Sequence, residues 1–260
     1  MMKPFIYIAA LRRTGSTVLS EALTLAPYSF IFREPGLGVG VFKVKSNDAE
    51  FFIKHGIDLY VFQKEVAKIN PKSTVEYFYE KLLPKLDGLI SQVGIKEIQH
   101  KHWEKVFRLF PDMKVILTAR NPMDIYISHY NRVLNDKGKF RDLEPKGVAT
   151  HLNEQFQKQL EMFEAADCMK VRYEDFCTNP SVYNEVKSFV SSGIPQIGAV
   201  GSFNTGNPKR VEEYELHKDS ITDKRVNRWQ HEKDENILRD ARKVFNLMAE
   251  YCKFWGYEKP

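Results

Sequence analysis

Cysteine is scarce in this sequence and is not arranged for metal binding. The 260 residues include three cysteines, Cys168, Cys177 and Cys252, whose spacing matches no metal-ligand pattern. A disulfide is an alternative, but we favour three reduced thiols in an intracellular chain. Six of the seven histidines also lack ligand spacing and are interpreted as surface or packing residues: His55, His102, His129, His151, His217 and His231. The sequence therefore predicts no metal site.

Long apolar runs are absent as well. No uncharged stretch is long enough to span a bilayer. The apolar run at the amino end, Phe5 to Leu11, is too short for the hydrophobic part of a signal peptide followed by a cleavage site. We therefore expect a cytoplasmic protein without a transmembrane segment.

The chain also lacks blocks of like charge, internal repeats and linker-like stretches rich in proline, glycine or serine. Its formal net charge of +5 is too small to indicate nucleic acid as a partner, but it is compatible with a modest anionic ligand. Hydrophobic residues make up 43% of the chain and charged residues 28%, which suits one globular domain over residues 1–260. The oligomeric state is left open.

What the sequence does contain is an alternation of strand and helix patterns. Short apolar runs predict strands at Phe5–Ala10, Val93–Ile98, Lys114–Ala119 and Met169–Tyr173. Helical spacing of apolar residues predicts helices over 18–26, 103–110, 148–163 and 237–252, with further helices opened by a Ser73–Glu76 capping box and by Asn121-Pro122. Pro84 should kink or split its helix. The stretch Phe51 to Phe62 fits neither pattern reliably.

This alternation predicts an α/β fold in three layers, with a central parallel sheet flanked by helices on both faces. Ligands of such folds bind beyond the carboxyl ends of the strands. The loops that follow the strands are therefore the place to look for a site.

The loop after the first strand, Leu11 to Thr17, reads LRRTGST and has the character of an anion-binding loop. In the nucleotide-triphosphate loop G-x-x-x-x-G-K-[ST], Gly15 would be the second glycine, but Ser16 replaces the obligatory lysine. A kinase or NTPase is disfavoured for that reason, although Arg13 could supply positive charge. An ordinary strand–helix turn with Thr14 as the helix N-cap is the alternative.

The segment from Lys114 to Tyr130 makes the comparison more specific. A strand that ends in Arg120, followed by Asn-Pro-x-Asp and then by Ser128, resembles the 3′-phosphate site of sulfotransferases that use 3′-phosphoadenosine 5′-phosphosulfate (PAPS). The first loop resembles the 5′-phosphosulfate loop of that family, with Arg13 on its basic position. Two more segments fit: Arg172 to Asp175 with Asn179-Pro180, and Arg225 to Trp229. The resemblance covers nearly the whole chain and implies a fold like that of P-loop-containing nucleoside triphosphate hydrolases.

The resemblance also implies which residues bind the co-substrate PAPS and its product, adenosine 3′,5′-bisphosphate (PAP). These are Arg12, Arg13, Thr14, Gly15, Ser16 and Thr17 in the first loop, Arg120 and Ser128 after the third strand, and Arg225 and Arg228 near the carboxyl end. Arg120 can direct two N–H donors to phosphate oxygens. The alternatives are a surface ion pair between Arg120 and Asp124, and a solvated basic turn at 225–228.

For catalysis, the resemblance assigns Lys96 to the transferred group and Arg13 to the leaving phosphate. The histidine that serves as base in the cytosolic members is absent, because Ile98 stands at its position. Glu34 resembles the glutamate base of the tyrosylprotein branch and is our first choice, with His100 and Glu97 in reserve. The alternative is a purely organising role for Glu34, paired with Arg33 or Arg13.

The sequence thus predicts in-line transfer of a sulfonate group from PAPS to a hydroxyl or amine, assisted by a general base and without a metal. A non-catalytic nucleotide- or anion-binding module on the same fold and a P-loop kinase are the alternatives. The acceptor is left open among small molecules, carbohydrates, lipids and peptides. We expect its specificity to reside in Phe51–Phe62, Lys137–Lys146 and a lid at Gly201–Arg210.

Overall fold

The computed structural model describes residues 3–135, 143–194 and 223–259. The expected lid at Gly201–Arg210 lies outside the described residues, as do positions 137–142 of the second expected specificity segment and His217. Within the described ranges, no helix combines the length and the apolar character that crossing a membrane requires. Cys168, Cys177 and Cys252 are free thiols; Cys252 is buried, whereas Cys168 and Cys177 are partly exposed.

Five parallel strands form the central sheet. They are β1 (Ile6–Ala10), β2 (Phe30–Arg33), β3 (Val93–Glu97), β4 (Lys114–Ala119) and β5 (Asp167–Arg172), in the order β2-β3-β1-β4-β5. The four predicted strands are confirmed to within two residues at each end. β2 was not predicted, because its four residues give too short an apolar run to be distinguished from a loop.

Helices surround the sheet, which confirms the three-layer α/β architecture. They are α1 (Ser16–Ala22), α2 (Ser46–Ile53), α3 (Leu59–Val66), α4 (Thr74–Tyr77), α5 (Leu83–Leu86), α6 (Trp103–Leu109), α7 (Pro122–Asn135), α8 (Pro145–Ala165), α9 (Tyr173–Thr178), α10 (Pro180–Phe189), α11 (Glu235–Leu247) and α12 (Ala249–Trp255). The last two were predicted as one helix, which is interrupted at Met248. The unassigned stretch 51–62 belongs to α2 and α3 and the loop between them.

Alternation along β1 separates two hydrophobic cores. Tyr7 and Ala9 enter the larger core, which α2–α8, α11 and α12 cover, whereas Ile6 and Ile8 enter a smaller core beneath α1, α9 and α10. β1 is the middle strand, and all its side chains are buried. The loops at the carboxyl ends of the strands therefore converge at one edge of a sheet that is packed on both faces.

The helical stretch around Pro84 is divided, as predicted. A π-helical segment, Phe78–Leu82, separates α4 from α5 immediately before the proline. Pro84 has no backbone N–H to continue the α-helical pattern, and the wider turn accommodates that loss. The predicted cap differs in detail: Asn70 accepts from Lys72 N at 2.9 Å and opens a short 3₁₀ turn, and Ser73 makes no side-chain cap.

Candidate active site

The loop after β1 is fastened to the neighbouring strand by its threonine. Thr14 Oγ1 donates to the carbonyl of Leu11 at 2.8 Å and lies 2.9 Å from Thr118 Oγ1 on β4. The N-cap position of α1 is Gly15, so the part of the alternative that made Thr14 the helix N-cap is wrong. Ser16 is buried and Thr17 is exposed in the first turn of α1.

Two residues of this loop adopt the left-handed conformation, with φ of 67° at Arg13 and 76° at Gly15. Glycine is required at the second position by space as well, because a Cβ there would lie 2.1 Å from Tyr173 Cδ2. The Arg120 guanidinium lies over the same aromatic ring, with its Cζ 4.6 Å from the ring centroid. Tyr173, at the start of α9, therefore packs against both loops of the predicted donor site.

Arg120 is buried at the carboxyl end of β4, where three segments meet. Its Nη1 contacts the carbonyl of Arg13 at 3.5 Å, and its Nη2 binds the carbonyl of Arg225 and contacts Asp124 Oδ2 at 3.4 Å. The ion pair considered from sequence is thus present, but it is long and is one of several contacts. Among the described residues, Arg120 Nε is buried without a hydrogen-bond partner.

Ser128 lies on α7 and meets the first loop directly. Arg13 Nε donates to Ser128 Oγ at 2.9 Å. The structure therefore brings together four of the predicted donor-site residues: Arg13, Arg120, Ser128 and Arg225. Arg228 is exposed on the 3₁₀ turn Arg228–His231, which is attached to α7 by a hydrogen bond from Trp229 N to Asp124 Oδ1 at 2.9 Å.

The backbone around Arg120 is held by two side chains outside the predicted donor set: Glu174, in the 172–175 segment that was expected to brace the loops, and Tyr251, which was not predicted. Tyr251 on α12 accepts from Arg120 N and donates to Arg120 O, both at 3.0 Å. Glu174 accepts from Asn121 N and from the hydroxyl of Tyr257, both at 2.8 Å. An acidic residue directly after a strand, and buried tyrosines near the carboxyl end, were the only signals available in the sequence.

At the other end of the site, Glu34 forms an ion pair with Lys96. Lys96 is almost fully buried, whereas about a third (36%) of the Glu34 side chain is exposed. Burial by itself raises the pKa of Glu34, but the charge and hydrogen bond of Lys96, together with the charges of Lys45 and Arg12, outweigh it, and the pKa lies below its ordinary value. Burial also lowers the pKa of Lys96, and Glu34 opposes that shift. The Glu34 carboxylate therefore stays ionised and reaches solvent, so it can accept a proton, although its lowered pKa makes it a weaker base than a free glutamate.

The partner of Glu34 differs from both expected alternatives. Arg33 instead pairs with Glu21 at 2.6 Å and Asp48 at 3.1 Å, which ties the end of β2 to α1 and α2. Because the Arg33 guanidinium binds these two carboxylates, the ion-pair partner of Glu34 is Lys96 and not Arg33. The two side chains to which the sequence assigned chemistry on this side of the site are therefore in contact.

His100 and Glu97, the reserve bases, are both buried. His100 Nε2 lies 3.1 Å from the carbonyl of Ala10 and must donate to it, and Nδ1 accepts from the hydroxyl of Tyr7 at 3.1 Å. Burial lowers the pKa of His100 to about 4. With both ring nitrogens occupied inside the protein, this geometry does not support a base role for His100.

Metal binding has no basis in the part of the chain that the structure describes, since no group of three or more His, Cys, Asp or Glu side chains there could hold an ion. The polar groups of the site are instead arginines, a lysine, hydroxyls and one partly exposed carboxylate. Such a set binds anions and moves a proton.

Comparison with known proteins gives the same picture. The model of the sulfotransferase family matches residues 4–183. The chain is similar in structure to the sulfotransferase domain from the curacin biosynthetic pathway (TM-score 0.70, 16% identity, covering 100% of this chain and 99% of that one). It is also similar to the sulfotransferase domain from the Synechococcus PCC 7002 olefin synthase (0.65, 15%, 96% and 96%).

A third similar structure is mouse sulfotransferase SULT7A1 complexed with PAP (TM-score 0.51, 11% identity, covering 97% of this chain and 86% of that one). At these identities the likeness shows a shared fold. No curated protein sequence matches the chain significantly.

Proposed function

The chain belongs to the sulfotransferase family, and from that premise we propose that it transfers a sulfonate group from PAPS to a hydroxyl or amine of its acceptor. The family assignment rests on 180 matched residues, from 4 to 183, which include both predicted nucleotide loops. The mouse neighbour was solved with PAP, the nucleotide that remains once PAPS has lost its sulfonate.

The observation that carries the proposal is the convergence of Arg13, Ser128 and Arg120. Arg13 Nε donates to Ser128 Oγ at 2.9 Å, and Arg120 Nη1 contacts the carbonyl of Arg13 at 3.5 Å, so the two predicted nucleotide loops are close enough for one nucleotide to contact both. The buried Arg120 Nε has no partner among the described residues, and a phosphate oxygen would supply one. The residues present therefore fit a phosphorylated nucleotide, with the other loop residues and Arg225 beside it.

We assign the proton transfer to Glu34. When bound, PAPS supplies an activated sulfonate whose leaving group is the 5′-phosphate of PAP. Glu34 accepts the proton of the acceptor hydroxyl as the acceptor oxygen attacks, and the Lys96 ammonium stabilises negative charge beside it. Arg13 and the Thr14–Thr17 amides and hydroxyls stabilise the departing phosphate. Glu97 and His100 are not used in this step.

We propose that residues 1–260 form one domain. In support, Tyr251 binds the backbone of Arg120, and Tyr257 donates to Glu174, which in turn accepts from Asn121 N, so residues of the last helix and of the segment after it contribute to the candidate site. The acceptor is a small molecule, a carbohydrate, a lipid or a peptide. Cytoplasmic location stays a prediction.

Two other functions were considered from the sequence. A P-loop kinase needs the lysine that Ser16 replaces, and the loop offers no substitute at that position. A non-catalytic module would have no need of a carboxylate paired with a buried lysine at the edge of the nucleotide site. The Glu34–Lys96 pair therefore favours the enzyme.

Calorimetry with PAP tests the donor assignment. We expect PAP to bind and to raise the melting temperature, and Arg120→Ala to weaken binding about 100-fold, since two charge-assisted hydrogen bonds of about 1.5 kcal/mol each are lost. Arg108→Ala, which removes an exposed arginine from α6, is the matched control and should bind as the parent does. Stabilisation by magnesium and ATP, without any by PAP, would establish a kinase instead.

A screen of acceptor classes with ³⁵S-labelled PAPS tests the catalytic half of the proposal. Transfer of label by the parent and its loss in Glu34→Gln are expected. Binding of PAP without transfer to any class of acceptor would support the non-catalytic module.

A further inference from the structure

Glu97 is a buried acid that the proposed reaction does not use. It is the last residue of β3, directly after Lys96, and about 2% of it is exposed. Its Oε1 accepts a hydrogen bond from Gly36 N at 2.8 Å, and the N–H of Gly38 also binds the carboxyl. Both amides belong to the turn that follows Glu34.

That turn is strained and depends on outside contacts for its conformation. Glu34 has a φ of 55°, which is unfavourable for a residue with a Cβ, and Gly36 has a φ of 86°. Its other backbone contact with β3 is the 2.6 Å hydrogen bond from Glu34 N to the carbonyl of Lys96. A left-handed glutamate persists only where its surroundings hold it in place.

Lys96 and Glu97, two consecutive residues of β3, therefore both bind the turn that begins at Glu34. Lys96 binds the Glu34 carboxylate, and Glu97 binds the backbone of the next residues. A larger residue does not fit at Gly38, because a Cβ there would lie 2.5 Å from the carbonyl of Gln99, two residues after β3. The turn therefore also lies close to the segment that follows β3.

We propose that Glu97 is a positioning residue that holds the Glu34 turn against β3 and so maintains the contact between Glu34 and Lys96. The inference deepens the proposed function, since it rests on Glu34 and Lys96 being the reacting pair. It assigns no proton transfer to Glu97.

The charge state of Glu97 suits this role and suggests the conservative variant. Burial is the main reason why the pKa of Glu97 is raised to about 8, and the carboxyl is therefore mostly neutral near pH 7. Among the smaller influences, the two glycine amides and Lys96 lower the pKa, and Glu34 raises it. Tyr7 is the other buried titratable group that it influences. A neutral carboxyl accepts hydrogen bonds as an amide does, and Glu97→Gln should therefore preserve the turn.

The test follows the ionisation of Glu34, which needs neither donor nor acceptor. Glutamate labelled with ¹³C at the carboxyl is titrated by NMR in the full chain, and the Glu34 signal is assigned by its loss in Glu34→Gln. In the parent and in Glu97→Gln, we expect Glu34 to titrate below its ordinary pKa. In Glu97→Leu the turn is released from β3, and the pKa should rise by about one unit because the Lys96 contact is weakened.

The matched control is Gln92→Leu, which removes a buried side chain that donates to Pro4 O at 2.9 Å and Val190 O at 2.7 Å near the opposite end of the same strand. It should lower the melting temperature without moving the Glu34 signal. If the leucine variant at 97 does not fold, Glu97→Asp retracts the carboxyl by one methylene and should give the same upward shift. An unchanged Glu34 pKa in the folded variant at position 97 overturns the proposal.

The outcome is separable from that of the proposed function. PAP affinity should be equal in the parent, Glu97→Gln and Glu97→Leu, because the Arg13–Ser128–Arg120 cluster is independent of the Glu34 turn. If PAP binds none of them, the proposed function fails, and the titration of Glu34 still reports whether Glu97 positions it.

Discussion

Arg13 Nε donates a hydrogen bond to Ser128 Oγ at 2.9 Å, and this contact joins two segments that lie 115 positions apart in the chain. The sequence motifs place Arg13 at the 5′ end of the donor nucleotide and Ser128 at its 3′ end. The structure brings both side chains to one place beside Arg120. The two loops thus lie side by side, and we expect a substitution in either loop to weaken binding of the nucleotide.

Removal of the serine hydroxyl should therefore weaken PAP binding. For Ser128→Ala we expect about a tenfold loss of affinity, because a hydrogen bond to a charged group contributes about 1.5 kcal/mol. Calorimetric titration measures it. Ser181→Ala, which removes a hydroxyl bonded to Glu185 on the exposed surface of α10, should leave the affinity unchanged. If Ser128→Ala and Ser181→Ala bind PAP with equal affinity, Ser128 does not contact the nucleotide.

Gly15 offers a test of the packing between the two nucleotide loops. Gly15→Ala should destabilise the fold by more than 2 kcal/mol, about the upper cost of a left-handed φ in a residue with a Cβ, because the added carbon would also meet the ring of Tyr173. Gly56→Ala is the matched control, since Gly56 has a φ of 78° with nothing within 4 Å of the added carbon. It should cost only the backbone strain, about 1–2 kcal/mol. Urea denaturation measures both.

The role of the ring can be isolated by removing it. In a Tyr173→Ala background the added carbon at position 15 has room, and the cost of Gly15→Ala should fall to that of Gly56→Ala. An undiminished cost in that background would show that the steric argument is wrong and that the backbone conformation alone requires the glycine.

The Glu34–Lys96 pair predicts a pH-dependent stability. Glu34→Gln leaves a buried ammonium without its carboxylate and should destabilise the chain by about 3 kcal/mol at pH 7. Burial already holds the pKa of Lys96 below its ordinary 10.5, and loss of Glu34 lowers it further. The unfolded chain then binds more protons than the folded one, so the stability of the variant should rise between pH 7 and pH 9 more steeply than that of the parent.

Denaturant midpoints at pH 7 and pH 9 measure this dependence of stability on pH. Two further variants serve as controls. Lys96→Met added to Glu34→Gln removes the buried charge and should restore a shallow slope. Lys114→Met, which breaks the surface pair with Asp167, should change stability by less than about 1 kcal/mol at either pH. A flat profile in Glu34→Gln alone would mean that Lys96 is solvated in the folded state.

Tyr251 should act on nucleotide binding from outside the matched family region. Tyr251→Phe removes a buried hydroxyl that serves both Arg120 N and Arg120 O, and we expect a loss of about 1–3 kcal/mol in stability together with weaker PAP binding. Thermal melts and calorimetry measure the two effects. Tyr60→Phe, on the exposed side of α3, should change neither. Unaltered PAP affinity in Tyr251→Phe would limit this residue to a structural role.

The strands of the sheet could be predicted because their apolar runs are long enough to be read locally. β1 and β4 bury nearly every side chain between helices, which leaves a nearly continuous apolar pattern in the sequence. β2 was not predicted because an apolar run of three residues before Arg33 is too short to be distinguished from a loop. The split at Pro84 was predictable because it follows from the missing N–H of one residue.

For the candidate site, the sequence suggested individual residues but not their contacts, and the roles of those residues stay predictions. Arg13, Glu34, Lys96, Arg120 and Ser128 could be chosen because each stands in a recognisable local motif or at a strand end. Which of them touch could not be chosen, because Glu34 was expected beside Arg33 or Arg13 and instead meets Lys96. Partner choice depends on the direction in which β2 and β3 present their last side chains, and on Glu21 and Asp48 having occupied Arg33.

The sequence by itself thus determined which residue types stand at the candidate site, because the glycine of the first loop, the arginine at the end of β4 and the carboxylate after β2 each belong to a short segment. The contacts between segments were decided only by packing. Tyr173 between the two loops, Tyr251 against the Arg120 backbone and Glu97 beneath the Glu34 turn join positions 60 to 160 residues apart. Burial in a shared core creates those neighbours, and it also sets the pKa values of Glu34, Lys96 and Glu97, which no local pattern encodes.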